Sequence, residues 1–270
     1  MIPKVINYCW FGGADLPELA NTCIESWKKN CPDYEIKRWD ESNFDYNECE
    51  YIMEAYKAKK WAFVSDYARF KILYENGGVY FDTDVELIRP IDDFLENGPF
   101  MGCEPGDVLQ AAPGLGLAVE PKNELFKEIV EYYKNQKFLR SYGTENPETV
   151  VSRVTAILKK YGFVGNGSIE YIRGICIYPP EYFCPKNYYT GEVNLTDKTV
   201  SIHHYSATWH EPEEDKSYVL EQRFNRVFGI KLGTILGKPI HYYYRLKLRA
   251  RQRGGYINAL KYFAYKLKGG

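Results

Sequence analysis

The sequence predicts an α/β domain built on a mixed, mostly parallel central sheet with flanking helices. Three observations carry that prediction. Apolar runs of strand length alternate with helical patterns through about the first 90 residues, the order that βαβ units require. The pair Gly77-Gly78 separates the last of those helical patterns from a strongly apolar strand, as a helix C-cap does. A chain of 270 residues with 45% apolar side chains is also long enough to bury one full core.

Taken in order, "KVINYCWF" from Lys4 reads as the first strand, and "PELANTCIESWKKN" as a helix opened by Pro17 with apolar residues at helical spacing. "YEIKRWD" is a second short strand. A helical stretch then runs from about Tyr51 to Asn76, and "VYFDTDVEL" follows as one strand. Beyond it come strands at "FMGCE" and "GLGLAVE", helices at "NELFKEIVEYYKNQ" and "PETVVSRVTAILKKYG", strands at "ICIYPPEYF" and "KTVSIHHY", and a helix at "KSYVLEQRFNRVFG". Composition turns basic between Gly229 and Gly237. This predicts one domain over residues 1–230 and a separate basic, aromatic tail over 231–270.

The composition excludes disordered and fibrous classes, and 25 Tyr with 5 Trp lean towards surfaces that stack on sugars or bases. Seven Cys form no CxxC pair, which predicts reduced thiols in a cytoplasmic protein. The first residues enter strand-like sequence without a secretory pattern, and no apolar run reaches membrane-spanning length. The net charge of −1 conceals an asymmetry. Residues 231–270 hold ten Lys and Arg and no acid, leaving 25 basic against 36 acidic residues, or −11, in the rest.

In open α/β sheets, ligands collect at the carboxyl ends of strands. Asp82 and Asp84 stand at such an end. Two apart on an extended strand, they would present both carboxylates on one side, where their repulsion invites a cation such as Mn²⁺ or Mg²⁺ bridging to substrate phosphates. The motif alone is weak, because 12 Asp in 270 residues supply roughly half a DxD per chain by chance. Its context strengthens it. Asp66 and Arg69 lie three apart on the preceding helix and so share a face, where they are either a surface ion pair or a grip for sugar hydroxyls and a phosphate.

"IPKVINYCWFGG", "AFVSDYARFKILYENGGVYFDTDVEL" and "SIHHYSATW" together resemble the signature segments of bacterial glycosyltransferase family 32, the DxD sugar-binding-region group. That group includes capsular polysaccharide enzymes and yeast mannosyltransferase relatives, and it is distantly similar to the clostridial glucosylating toxins. The resemblance covers residues 1 to about 210. It implies a GT-A type fold, a divalent metal and a nucleotide-sugar donor, with a hexose transferred with retention of configuration. UDP-sugar is the expected donor and GDP-mannose the second choice.

By position, the resemblance makes Trp10 the aromatic that stacks on the base, Asp66 and Arg69 the donor-sugar contacts, Asp82 the first DxD carboxylate near ribose and metal, and Asp84 the direct metal ligand. Asn7 stands where the family usually has His, keeping polarity without titration at the donor site. Of the pair His203-His204, adjacent strand residues point opposite ways, so at most one faces the metal and a packed or surface histidine is the competing reading. His204 is the expected ligand and His203 the alternative. Trp209 either caps the site or packs in the core, and the resemblance implies that the region of Gln110 lines the sugar and acceptor pocket. Gly114 and Gly116 do not fit a phosphate-cradling spacing and read as a turn before a strand.

No protein nucleophile stands out. Asp66 and Glu104 are the candidates for a double displacement, and front-side attack is the preferred route. The expected acceptor is a glycan or lipid-linked glycan in capsular or cell-surface polysaccharide synthesis. The competing readings are a nucleotide-sugar hydrolase or phosphotransferase on the same residues, and a non-catalytic sugar-binding protein. The tail is either a solvated helical face or a patch for anionic lipid at the inner face of the plasma membrane. Its charge could also suit nucleic acid, but no recognised motif accompanies it, and no nucleic-acid partner is expected.

Overall fold

The computed structural model describes residues 1–106, 108–140, 144–146, 148–206 and 212–260, with side chains in the last segment from 216 onward. The chain divides into two units, Met1–Lys186 with Asn194–Ser206, and Asn187–Val193 with Ala207–Gly270.

The first unit runs β1 (Val5–Cys9), α1 (Glu18–Asn30), β2 (Glu35–Trp39), α2 (Glu50–Lys57), α3 (Trp61–Asn76), β3 (Gly78–Tyr80), β4 (Val85–Leu87), α4 (Asp92–Glu96), β5 (Phe100–Glu104), β6 (Gln110–Ala111) and β7 (Leu117–Val119). It continues through α5 (Glu124–Lys134), α6 (Val150–Lys159), β8 (Glu170–Ile172), β9 (Ile175–Tyr178), α7 (Pro180–Phe183) and β10 (Ser201–His203). The main sheet has the order β2-β1-β3-β7-β5-β9-β8, with β6 on β5. Along that path β2, β1, β3, β5 and β9 point one way, and only β7 and β8 oppose them. The mixed, mostly parallel α/β sheet expected from the sequence is therefore formed.

Helices cover both faces. On one, Tyr51, Phe70, Phe126, Ile129 and Leu158 from α2, α3, α5 and α6 bury against the sheet; on the other, Trp27, Phe81, Phe100 and Phe183 form the second core. Helix α1 buries Ala20, Cys23, Ile24 and Trp27, a stripe at helical spacing, and Trp27 donates from Nε1 to the Val85 carbonyl at 2.7 Å. That bond ties α1 to β4.

Three elements differ from their sequence reading. The helix expected over 51–76 is two helices, because Lys59 adopts φ 56° and α2 closes in a Schellman motif, with Lys60 N–H donating to Ala55 O and Lys59 N–H to Tyr56 O. Lysine in the left-handed position hid the break, since glycine is the usual signal there. The strand expected over "ICIYPPEYF" stops at Tyr178, and Pro179-Pro180 starts α7.

The third difference bears on function. "VYFDTDVEL" is not one strand: β3 ends at Tyr80, Asp82 to Val85 make a turn closed by Val85 N–H to Asp82 O at 3.0 Å, and β4 leaves for a separate two-stranded sheet with β10. The two aspartates therefore sit at a junction between sheets, where aspartate's preference for turns is served, and not on one extended strand.

The turn needs β3 to enter the sheet closely. At Gly78, φ is +99° and a Cβ would lie 2.7 Å from the Val5 carbonyl oxygen, so only glycine fits. Beside it, Asn7 is 1% exposed and crosslinks the sheet: Nδ2 donates to Val79 O at 3.1 Å and Oδ1 accepts from Trp39 Nε1 at 2.8 Å.

In the second unit, α8 (Pro212–Phe228) and α9 (Ile230–Arg253) form a helical hairpin turning at Gly229. Tyr218 and Gln222 donate to the Tyr188 carbonyl at 2.7 and 2.8 Å, and Asn225 to that of Tyr189 at 2.9 Å. The boundary expected near residue 230 is thus a turn between two helices of one unit.

Because Asn7 holds two buried partners, Asn7→Ala is expected to lower unfolding free energy by about 1–3 kcal/mol in denaturant titration. Nucleotide affinity should be unchanged; a large loss of affinity without loss of stability would show that Asn7 meets a ligand.

Candidate active site

Helix α3 brings Asp66 and Arg69 to the start of the Asp82–Val85 turn. Arg69 is 4% exposed, and its Nη2 lies 3.2 Å from Asp66 Oδ1 and 3.2 Å from Asp82 Oδ1. Its Nε donates to the Ser65 carbonyl at 3.2 Å, and the guanidinium lies 5.1 Å from the Tyr80 ring centre. Tyr80 completes the cluster by donating its hydroxyl to Asp82 Oδ1 at 3.0 Å. One buried cation thus joins a helix carboxylate to the first carboxylate of the turn.

The electrostatics follow from burial. Desolvation lifts Asp66 from the ordinary 3.8 to about 6, against the pull of Arg69 and Arg153 and a hydrogen bond from the Val150 N–H. Arg69 would be lowered by burial, but Asp82, Tyr80 and Asp66 hold it above its ordinary value. Burial also raises the Tyr80 phenol, which therefore stays a donor.

Gly114, read from sequence as a simple turn residue, has a second role. Its carbonyl accepts the Asp82 N–H at 3.0 Å, and a Cβ on it would come within 1.9 Å of Asp82 Oδ2. Asp82 Oδ2 consequently faces a backbone with no side chain, and among the described residues it makes no hydrogen bond.

Asp84 belongs to a second group. Antiparallel pairing sets His203 opposite Val85, and its Nε2 lies 3.3 Å from Asp84 Oδ1. Asp84 Oδ2 accepts the Ser206 N–H at 2.8 Å and the Ser206 hydroxyl at 3.1 Å. Burial alone would raise Asp84, but His203 and Ser206 outweigh it and hold the carboxyl well below its usual range. Burial would lower His203, yet Asp84 lifts it to about 10, so the imidazole is a counter-ion at neutral pH.

The expected ligand His204 points elsewhere. Its Nε2 is 2.8 Å from Glu86 Oε2, while its carbonyl accepts Lys186 Nζ at 2.7 Å. The two imidazoles do diverge as adjacent strand residues should, but His203 is the one beside Asp84. Trp10, half-buried at the end of β1, donates Nε1 to Ala14 O at 2.7 Å. The side chain of Asn7, expected at the donor, is spent on the sheet crosslink. Burial raises Glu104 at the end of β5, with His203 acting against it, and Gln110 pairs with it across β6. Trp209 lies outside the described residues. Sequence reasoning missed Tyr80, Ser206 and Gly114. Tyr80 had a usable signal in standing two residues before Asp82.

Among the described residues, no three His, Cys, Asp or Glu side chains converge into a closed metal cage. Asp82 and Asp84 nonetheless supply hard oxygen donors, and Asp82 Oδ2 makes no hydrogen bond among the described residues. That suits a Mg²⁺-like ion held by one or two carboxylates and completed by substrate phosphates.

Residues 17–101 match the family model described as the glycosyltransferase sugar-binding region containing the DXD motif. Inositol phosphoceramide mannosyltransferase 1 of Schizosaccharomyces pombe is 26% identical over 165 residues, covering 56% of this chain and 48% of that protein. The uncharacterized glycosyltransferase L373 of Acanthamoeba polyphaga mimivirus is 33% identical over 106 residues, covering 37% and 42%. The chain spans less than half the length of these curated relatives. Among solved structures, the glycosyltransferase involved in glycosylation of the major capsid of PBCV-1 shares 12% identity at a TM-score of 0.43, covering 80% of this chain and 99% of that one.

The raised Asp66 has a measurable consequence. An acid whose folded value lies above its unfolded value adds stability that is present below 3.8 and lost as pH rises through about 6. The loss amounts to about 3 kcal/mol. Asp66→Asn cannot ionise, so between pH 4.5 and 8 wild type is expected to lose stability relative to this variant in denaturant titrations. Parallel profiles would refute the buried carboxylate.

Proposed function

We propose that this chain, whose residues 17–101 match the model of the glycosyltransferase DXD sugar-binding region, transfers a hexose from a nucleotide sugar to a glycan or lipid-linked acceptor. The observation that carries this reading is the Asp66–Arg69–Asp82 bridge, built within the matched segment at the head of the DXD turn. DXD glycosyltransferases of GT-A type generally use a divalent metal with a nucleotide sugar. Here Asp82 and Asp84 would hold Mn²⁺ or Mg²⁺, which when bound neutralises charge on the departing diphosphate.

The remaining roles fall to the protein. Arg69 organises the site: its Nη2 fixes both Asp66 and Asp82, so the carboxylates meet the donor already oriented. Asp66 accepts hydrogen bonds from sugar hydroxyls, and Trp10 stacks on the base. His203 and Ser206 hold Asp84 ionised and aimed. Front-side attack with retention of configuration needs no further carboxylate, and Glu104 is the group that would serve a covalent alternative. Two matched relatives are named inositol phosphoceramide mannosyltransferases, which favours a mannosyl donor and a lipid acceptor as the first pair to try beside UDP-sugars. A role in capsular or cell-surface polysaccharide synthesis is part of the same proposal.

The basic helix of the second unit enters the same proposal. Among the described residues, no helix is long and apolar enough to cross a membrane. Helix α9 instead carries exposed Ile235, Leu236, Tyr242 and Tyr243 with Lys231, Lys238, Arg245 and Lys247, and residues 231–260 hold no acid. Such a helix lies on an anionic surface at the inner face of the membrane.

Two measurements test these readings. With Mn²⁺ and a panel of nucleotide sugars, wild type is expected to release nucleotide from one donor, and Asp84→Ala or EDTA to abolish the release. Release unaffected by acceptor glycans would mark a hydrolase, and no donor binding by calorimetry would overturn the reading. Lys238→Glu with Lys247→Glu is expected to weaken sedimentation with phosphatidylglycerol vesicles at least tenfold; unchanged sedimentation would remove the membrane from the proposal.

A further inference from the structure

The turn that follows β1 is held in place by three other elements. Its residues Trp10 to Ala14 include Gly12 at φ +93° and Gly13 at φ +68°, both in the left-handed region, so the turn has little stiffness of its own. Glu41, just beyond β2, accepts the Gly12 N–H on Oε1 at 2.6 Å, and the same oxygen accepts the Tyr56 hydroxyl of α2 at 3.3 Å. Tyr56 stacks on Tyr46 with ring centres 3.8 Å apart and stands edge-on to Trp61, the first residue of α3, at 5.2 Å. Trp61 closes the circuit. A Cβ on Gly12 would lie 2.5 Å from the indole Cε2, so the glycine backbone rests directly against the ring.

What the circuit fixes is the Trp10 indole. The Trp10 N–H donates to Trp39 O at 2.9 Å, continuing the β1–β2 ladder, and its Nε1 spans the turn to Ala14 O at 2.7 Å. With its one polar atom bonded inside the turn, the ring offers a ligand only a face, and the direction of that face follows the conformation of Gly12 and Gly13. Helix α3 relates this turn to the DXD turn. Trp61, Ser65 and Arg69 recur at every fourth residue and share one side of α3, where Ser65 Oγ donates to Trp61 O at 3.1 Å and Arg69 Nε to Ser65 O at 3.2 Å. From the residue that backs Gly12 to the one that grips Asp82 is about 12 Å of helix, the length scale of a nucleoside diphosphate.

We propose that Glu41 is a positioning residue for the nucleotide end of the donor: by holding Gly12 against Trp61 it sets the Trp10–Ala14 turn before the donor arrives, and so presents the indole face ready for the base. The inference rests on the transferase reading, which gives Trp10 the base. It assigns Glu41 no contact with substrate. Ordering two glycines at the moment of binding would subtract from nucleotide affinity, and ordering them in the free protein removes that cost. Stacking on a ring face accepts any base, so the clamp governs how tightly a nucleotide is held and not which one.

The test is calorimetry on the whole chain with UDP, GDP and inorganic pyrophosphate, each with Mn²⁺. Pyrophosphate engages the DXD end of the site without a base. Glu41→Ala is expected to weaken the nucleotide that wild type binds by about five- to tenfold and to leave pyrophosphate within about twofold. Glu41→Gln, whose amide oxygen still accepts the Gly12 N–H, should keep nucleotide affinity within about twofold of wild type. Trp10→Ala should reproduce the selective loss, and Glu41→Ala added to it should weaken the nucleotide by less than about twofold more, because the clamp acts through the indole. Equal weakening of nucleotide and pyrophosphate, independent losses that multiply in the double variant, or unchanged nucleotide affinity in Glu41→Ala would overturn the role and leave Glu41 as a loop tether. Wild type that binds neither nucleotide would overturn the transferase reading, and this inference with it.

Discussion

A guanidinium buried among two carboxylates and a tyrosine ring is costly to desolvate, and Arg69 is tolerable only while Asp66, Asp82 and Tyr80 all stay in place. That mutual requirement fixes much else. Helix α3 must begin where it does to deliver Asp66 and Arg69 on one face, which is why α2 stops short in a Schellman turn at a lysine. Strand β3 must end at Tyr80 so that Asp82 turns back onto Arg69. Gly114 must lack a side chain so that the Asp82 carboxylate has room.

The turn also divides labour between its two aspartates. Asp82 faces the main sheet's cluster, whereas Asp84 faces β10, where His203 and Ser206 hold it. Each carboxylate is neutralised by a different cation on a different element. A DXD turn arranged in this way is stiff at both ends, and its geometry depends on β4 and β10 staying paired as much as on the central sheet. Trp27, by bonding the Val85 carbonyl, anchors the far side of that pairing from α1.

How much of this the sequence disclosed follows from which signals are local. The alternation of strands and helices was legible because amphipathic periods repeat over many residues, and Asp66, Arg69, Asp82 and Asp84 were legible from spacing. The turn was not: the apolar residues before Asp82 carry a strand signal straight through it, and only the departure of β4 to another sheet reveals the break. Asn7 looked like a ligand residue because its position resembles a functional one, yet its hydrogen bonds go to Val79 and Trp39, partners distant in sequence. The choice between His203 and His204 depended on which face of a three-residue strand meets Asp84, and alternation alone could not set that.

Charge explains why the buried Asp66 and Arg69 sit together on α3. A carboxylate at the Asp66 position, left to desolvation, would be neutral, and a neutral acid is a poor acceptor for several sugar hydroxyls at once. Keeping it ionised requires positive potential from more than one direction, because Arg69 is already divided between two carboxylates. The Val150 N–H at the start of α6 and Arg153, itself paired with Glu148, pull the carboxyl down in the same direction as Arg69, and Asp82 opposes them. The core pays for this with a cation that contributes little to packing, and the tyrosines of α2 and α5 make the arrangement affordable by presenting ring faces.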